Sequence, residues 1–135
     1  MQEMSSAETH HGGCLCKGVR YTVSGPLRGI IACHCEQCRR TSGHFAAMTS
    51  ARIADIIIAS SQSLRWFHSS ETAERGFCAT CGSNLFWRPT GGDTMSITAG
   101  SLDAPTGLAI EKHIFAGTKS DYYEIDDGLP QRDRW

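Results

Sequence analysis

Apolar and polar residues alternate along this chain over short stretches, and a helical spacing never lasts beyond two turns. Val19-Arg20-Tyr21-Thr22-Val23 has a two-residue period and is closed by Ser24-Gly25-Pro26, the pattern of a half-buried strand ending in a turn. Gly29 to Ala32, Phe45 to Thr49, Ile53 to Ile58, Leu64 to Phe67, Leu85 to Trp87, Met95 to Thr98 and Ile110 to Phe115 read as further short strands. One or two turns of helix are expected from Glu36 to Thr41. Many short strands punctuated by glycine predict a mostly β domain with few short helices. Trp66, Trp87, Phe45 and Phe86 are its expected core or pocket wall. Residues 1–11 are polar and expected to be mobile, so the domain proper is placed at 12–135.

With 135 residues the chain suits one domain with a single core. Its 13 Lys plus Arg against 14 Asp plus Glu leave a net charge of −1, which argues against a nucleic-acid partner. No apolar run approaches the roughly 20 residues that span a bilayer, so no membrane association is expected. The first residues lack the basic and apolar regions of a secretory signal. The expected location is the cytoplasm.

A reducing compartment changes how the seven cysteines are read, because thiols there stay free unless they are catalytic or bind metal. They form three groups: Cys14-Leu15-Cys16, Cys33-His34-Cys35-Glu36-Gln37-Cys38, and Cys78-Ala79-Thr80-Cys81. Cysteines one or two residues apart can turn both sulfurs toward one ion, and zinc takes four such ligands at about 2.3 Å. The Cys78–Cys81 segment followed by Gly82 looks like a zinc knuckle, and its best partner is the Cys14/Cys16 pair. Those four close a loop of about sixty residues, which suits a structural zinc. Cys33, Cys35 and Cys38 remain. Three protein ligands with one vacancy describe a catalytic zinc. The competing readings are a closed site with His34 or His44 as fourth ligand, a redox pair of Cys35 with Cys38, and a set of disulfides leaving one free thiol.

Three stretches carry a resemblance: Gly13-Cys14-Leu15-Cys16-Lys17-Gly18-Val19-Arg20-Tyr21, Cys33-His34-Cys35-Glu36-Gln37-Cys38-Arg39-Arg40, and Arg75-Gly76-Phe77-Cys78-Ala79-Thr80-Cys81-Gly82-Ser83. With Gly100-Ser101-Leu102-Asp103, His113-Ile114-Phe115 and Asp127-Gly128-Leu129-Pro130, the chain resembles the glutathione-dependent formaldehyde-activating enzyme family. That family also includes the centromere-protein-V-like proteins. The resemblance implies a tent-like arrangement of antiparallel β-sheets with two zinc ions per chain. It implies Cys14, Cys16, Cys78 and Cys81 as ligands of the structural zinc and Cys33, Cys35 and Cys38 as ligands of the catalytic one. It further implies a carbon–sulfur lyase or synthase that joins glutathione, or another small thiol, to formaldehyde or a related aldehyde, or cleaves that adduct.

Zinc with an open position can lower the pKa of a bound thiol or polarise a carbonyl. Arg39 and Arg40, directly after Cys38, are the candidate partners of the thiol's carboxylates, because a guanidinium can bind a carboxylate through two hydrogen bonds. His34 is a candidate proton shuttle, and His113 reads as a hydrogen-bonded interior histidine. The alternative function is a non-catalytic zinc module that docks a protein or nucleic acid.

Overall fold

The computed structural model describes residues 8–135. A three-stranded sheet has the order β1-β2-β5, from β1 (Thr9–Gly13), β2 (Arg20–Ser24) and β5 (Ile56–Ser60). The other seven described strands form the order β10-β3-β4-β9-β8-β7-β6. They are β3 (Ile30–Cys33), β4 (Ala46–Arg52), β6 (Leu64–Ser70), β7 (Ala73–Cys78), β8 (Asn84–Pro89), β9 (Thr94–Thr98) and β10 (Ile110–Ile114). The α-helix, α1 (Glu36–Ser42), follows β3. The mostly β, few-helix expectation holds. Pairing is antiparallel except between β10 and β3, which run parallel.

Both sheets contribute to one core. Val19, Tyr21 and Val23 come from β2 and its approach, and Leu85, Phe86, Met95 and Ile97 from the large sheet. Tyr21 is 1 % exposed; its ring meets Phe86 edge-on at 5.4 Å and its hydroxyl reaches Ser101 Oγ at 2.7 Å. That bond offsets the cost of burying the hydroxyl. Leu85 and Phe86 are both buried although they are neighbours in one strand. A register shift in the β7–β8 pairing explains this, since an extra residue in one strand breaks the two-residue alternation.

Three elements differ from the sequence expectation. Residues 9–11, expected to be mobile, belong to β1, which pairs along β2 from Thr9↔Ser24 to Gly13↔Arg20. The strand has no large apolar residue, so only pairing reveals it; residues 1–7 lie outside the described residues. β7 carries no apolar period either, because its buried positions are Ala73, Gly76 and Cys78. They are small for a reason: a Cβ on Gly76 would stand 3.0 Å from Trp66 and 3.1 Å from Phe86. Finally, Ile53–Asp55 is a 3-10 turn rather than strand. An Asp55–Arg52 ion pair at 3.2 Å braces it, and there the chain leaves the large sheet for the small one.

Candidate metal centres

The turn after β1 aims the first two thiols. Cys14 N–H donates to Val19 O, Lys17 N–H to Cys14 O, and Val19 N–H to Cys14 Sγ at 3.2 Å. Cys78 ends β7; Gly82 N–H donates to Cys78 O and Cys81 N–H to Cys78 Sγ at 3.4 Å. The knuckle needs a left-handed residue after its second ligand, and Gly82 supplies it at φ +80°. Together these turns bring the Sγ atoms of Cys14, Cys16, Cys78 and Cys81 within 4.8 Å of one another. Cys14–Cys16 and Cys16–Cys78 are separated by 3.6 and 3.7 Å. A tetrahedron with metal–sulfur bonds of about 2.3 Å needs sulfurs roughly 3.8 Å apart, whereas a disulfide needs about 2 Å. The donor set therefore fits zinc. Ser83, by side chain and backbone, pulls the Cys81 thiol down to about 5, and the Ser63 hydroxyl, 3.2 Å away, lowers Cys78. Both shifts favour the thiolate form that a metal requires.

The second cluster is local. Cys33 ends β3, Cys35 is the N-cap of α1, and Cys38 lies in the helix's first turn. Cys35 Sγ accepts the Cys38 amide at 3.3 Å, so the capping sulfur faces the cysteine one turn on. The three Sγ atoms lie within 4.8 Å of one another. Arg75, from β7, stands beside them: its Nη2 is 3.6 Å from Cys38 Sγ, and its Nε and Nη2 donate to Gln37 Oε1 at 3.0 and 2.7 Å. Gln37 is held in turn by the Ser69 carbonyl. Cys38 is lowered to about 5, first by its hydrogen bond with Cys33 and also by Arg75 and Cys35, against burial. Among the described residues all seven cysteines are free, so no disulfide set is present.

Neither histidine joins this cluster. His34 is 1 % exposed and both its ring nitrogens are engaged, Nδ1 with the Tyr123 hydroxyl and Nε2 with His113 Nδ1 at 2.9 Å. His113 Nε2 lies 2.8 Å from Asp127 Oδ2. A carboxylate can only accept, and the His113 hydrogen bond holds Asp127 below the usual carboxylate range. His113 Nε2–H therefore donates to Asp127, one hydrogen bond joins His113 Nδ1 to His34 Nε2, and another joins His34 Nδ1 to the Tyr123 hydroxyl. Burial is the first cause that pushes His34 down to about 4. His44 is exposed and pairs with the Tyr122 hydroxyl. His113 is the interior, hydrogen-bonded residue that the sequence suggested.

The three cysteines open on a cleft of about 690 Å³. Its floor is one face of the large sheet. Cys33 and Ile31 of β3, Met48 and Ser50 of β4, Ser96 of β9, and Trp87 of β8 line it, and the pairings Ile31↔Met48, Ser50↔Ser96 and Ser96↔Trp87 set them side by side. Ala32, Ala51 and Ile97 alternate with them and are buried. Trp87 is thus a cleft wall, while Phe86 is core. Arg39 and Arg40, the expected carboxylate partners, are absent from the cleft lining. Arg40 pairs with Glu36 at 2.9 Å on the exposed helix face, and Arg39 Nε is buried without a partner among the described residues. The cations lining the cleft are Arg28, Arg75, Lys112 and Arg132, to which the sequence reading assigned no role.

The family model described as glutathione-dependent formaldehyde-activating enzyme matches residues 9–118. An uncharacterized lyase of Schizosaccharomyces pombe is 26% identical over 118 residues, covering 86% of this chain and 85% of its own. A Rhodobacter sphaeroides protein of known crystal structure is also 26% identical, with a TM-score of 0.59, covering 72% of this chain and 91% of that one. The match takes in both cysteine clusters, and with it the chain belongs to the glutathione-dependent formaldehyde-activating enzyme family.

Proposed function

We propose that this protein is a zinc-dependent carbon–sulfur lyase or synthase acting on a small thiol, glutathione above all, and formaldehyde or a related small aldehyde. The observation that carries the reading is the three-cysteine cluster opening on a cleft with aromatic and cationic walls, in a chain of this family. The lyase name of the yeast relative supports the same class.

Two zinc ions per chain fit the two donor sets, Cys14, Cys16, Cys78 and Cys81 as the structural site and Cys33, Cys35 and Cys38 as the reactive one. Zinc bound by three thiolates would supply an open position that favours the deprotonated form of an added thiol. The chain's residues do the rest. Arg75 donates toward Cys38 and braces Gln37, which fixes the first turn of α1 under the cluster. The cleft walls orient the thiol and limit its contact with water. In the forward direction the thiolate sulfur adds to the carbonyl carbon, a C–S bond forms, and the C=O π pair moves to oxygen. That oxygen takes the proton released by the thiol and becomes the hydroxyl of an S-hydroxymethyl adduct; cleavage is the reverse.

Binding is a cleaner test than rate, because the thiol and formaldehyde also combine without a catalyst. Calorimetry of the zinc-loaded protein with glutathione should give a saturable heat that S-methylglutathione, whose sulfur carries no proton, reproduces only weakly. Equal binding of the two would remove sulfur coordination from the mechanism, and no binding of glutathione at millimolar concentration would refute the thiol reading altogether.

A further inference from the structure

The charge of the cleft has no counterpart in the composition. The chain as a whole carries −1, yet four cationic side chains and no Asp or Glu line the cleft, Arg28, Arg75, Lys112 and Arg132. They come from separate parts of the chain: the approach to β3, β7, β10 and the segment after β10. Two of them are committed. Arg75 serves Gln37 and Cys38, and Arg28 donates to the Gly29 and Met48 carbonyls. Lys112 and Arg132 make no side-chain hydrogen bond or ion pair among the described residues. Converging like charges repel one another and are costly without an anion between them.

Strand register gives the spacing. β10 lies parallel to β3 with Ile114↔Cys33 and Lys112↔Ile31. Lys112 is therefore on the same face as Cys33 and two residues back, a rise of about 6–7 Å along the sheet. The backbone of Arg132 is pinned to the same strand, its N–H donating to the His113 carbonyl at 3.0 Å. A ligand sulfur at the cysteines would leave a carboxylate several bonds away within reach of Lys112.

We propose that Lys112 and Arg132, backed by Arg28, bind the carboxylates of the thiol taken by this cleft and set its preference for carboxylate-bearing thiols over neutral ones. This rests on the thiol reading above and moves carboxylate recognition from Arg39 and Arg40 to the opposite side of the cluster. Arg28 keeps two donors on backbone carbonyls, so its contribution is a fixed positive field; Lys112 and Arg132 make the direct contacts.

The test is calorimetry of the zinc-loaded full chain with three probes: glutathione, glutathione diethyl ester and 2-mercaptoethanol. Zinc content and far-ultraviolet circular dichroism establish that each variant is folded and loaded. Glutathione should bind the parent protein at least about 10-fold more tightly than the diester, the size expected for a charged hydrogen bond. Lys112→Gln and Arg132→Gln should each weaken glutathione about 10-fold and leave the diester unchanged. Equal binding of glutathione and the diester to the parent would overturn carboxylate recognition while leaving the thiol reading standing. If Arg40→Gln weakens glutathione as much as Arg132→Gln does, the carboxylates sit on the helix and the proposal is wrong. If none of the three thiols binds, this proposal and the thiol reading fall together.

Discussion

The two cysteine clusters use the same ligand atom and are wired into the fold in opposite ways. Cys16 and Cys78, 62 residues apart, stand 3.7 Å from each other, one beside the small sheet and one at the end of a strand of the large sheet. Cys33, Cys35 and Cys38 all lie within one strand end and one helical turn. A metal on the first cluster closes a long loop and joins two sheets, so its binding energy is folding energy. A metal on the second constrains a segment already placed by β3 pairing and by the cap of α1. The first cluster sets the exposed Cys16 beside buried Cys14 and Cys78, while the second, which has no exposed cysteine, lines an open cleft. Long-range wiring suits a site that must never open, and local wiring suits one that must exchange ligands.

The largest effect should come from breaking the long-range site. Cys14→Ser should leave the domain unfolded or insoluble, since a structural zinc contributes on the order of 10 kcal/mol. Cys35→Ser should lose one metal and keep the β spectrum. Metal content by native mass spectrometry beside circular dichroism checks both, and equal collapse of the two variants would erase the distinction. Mild peroxide sharpens it without mutation: accessible thiolates oxidise first, so one zinc equivalent should be released before the other. Simultaneous release would mean that neither site is the more open.

Arg75→Gln probes the second cluster alone. Losing the guanidinium beside Cys38 should weaken zinc there about 10-fold, as removal of an outer hydrogen-bond partner commonly does. Competition with a chelator dye reads this, and the four-cysteine site should hold its metal unchanged.

The smallest effect concerns the hydrogen-bonded chain behind the second cluster. His34 lies at about 4 in the folded protein against an ordinary value of 6.5. The unfolded chain therefore takes up the extra proton as pH falls from 6.5 toward 4, and folding stability falls with it. Nitrogen NMR of the imidazoles should find His34 neutral at pH 6. An imidazolium signal there would contradict the chain from Tyr123 to Asp127. Tyr123→Phe, which removes the hydroxyl hydrogen-bonded to His34 Nδ1, should cost about 1 kcal/mol in urea unfolding.

Much of the fold was readable because its signals are local. A two-residue period marks β2 whatever it pairs with, and Ile53 to Ile58 kept enough β-branched residues to be noticed even though its first turn is 3-10. β1 and β7 were not readable for the opposite reason. Thr9-His10-His11-Gly12-Gly13 carries no apolar period, and β7 is small where it is buried because Trp66 and Phe86 fill the space over Gly76.

The division of seven cysteines into four and three was written in the chain itself, because ligand spacing in a turn is a matter of a few backbone dihedrals. The sequence likewise determined that most of the chain would be strand. What only the tertiary structure decided is the company those cysteines keep. Arg39 and Arg40 adjoin Cys38 in sequence, yet a helical residue one or two positions on points around the cylinder, and Arg40 ends on the exposed face with Glu36. Arg75, Lys112 and Arg132 are distant in sequence, and the fold brings them to one cleft with Cys33 and Cys38, Lys112 on β10 beside β3 and Arg75 on β7 across the sheet. His34 sits between two clustered cysteines and faces away from them, into a chain ending on Asp127. Proximity across a sheet depends on register and strand order, and those are set by the packing of the whole domain rather than by any stretch of it.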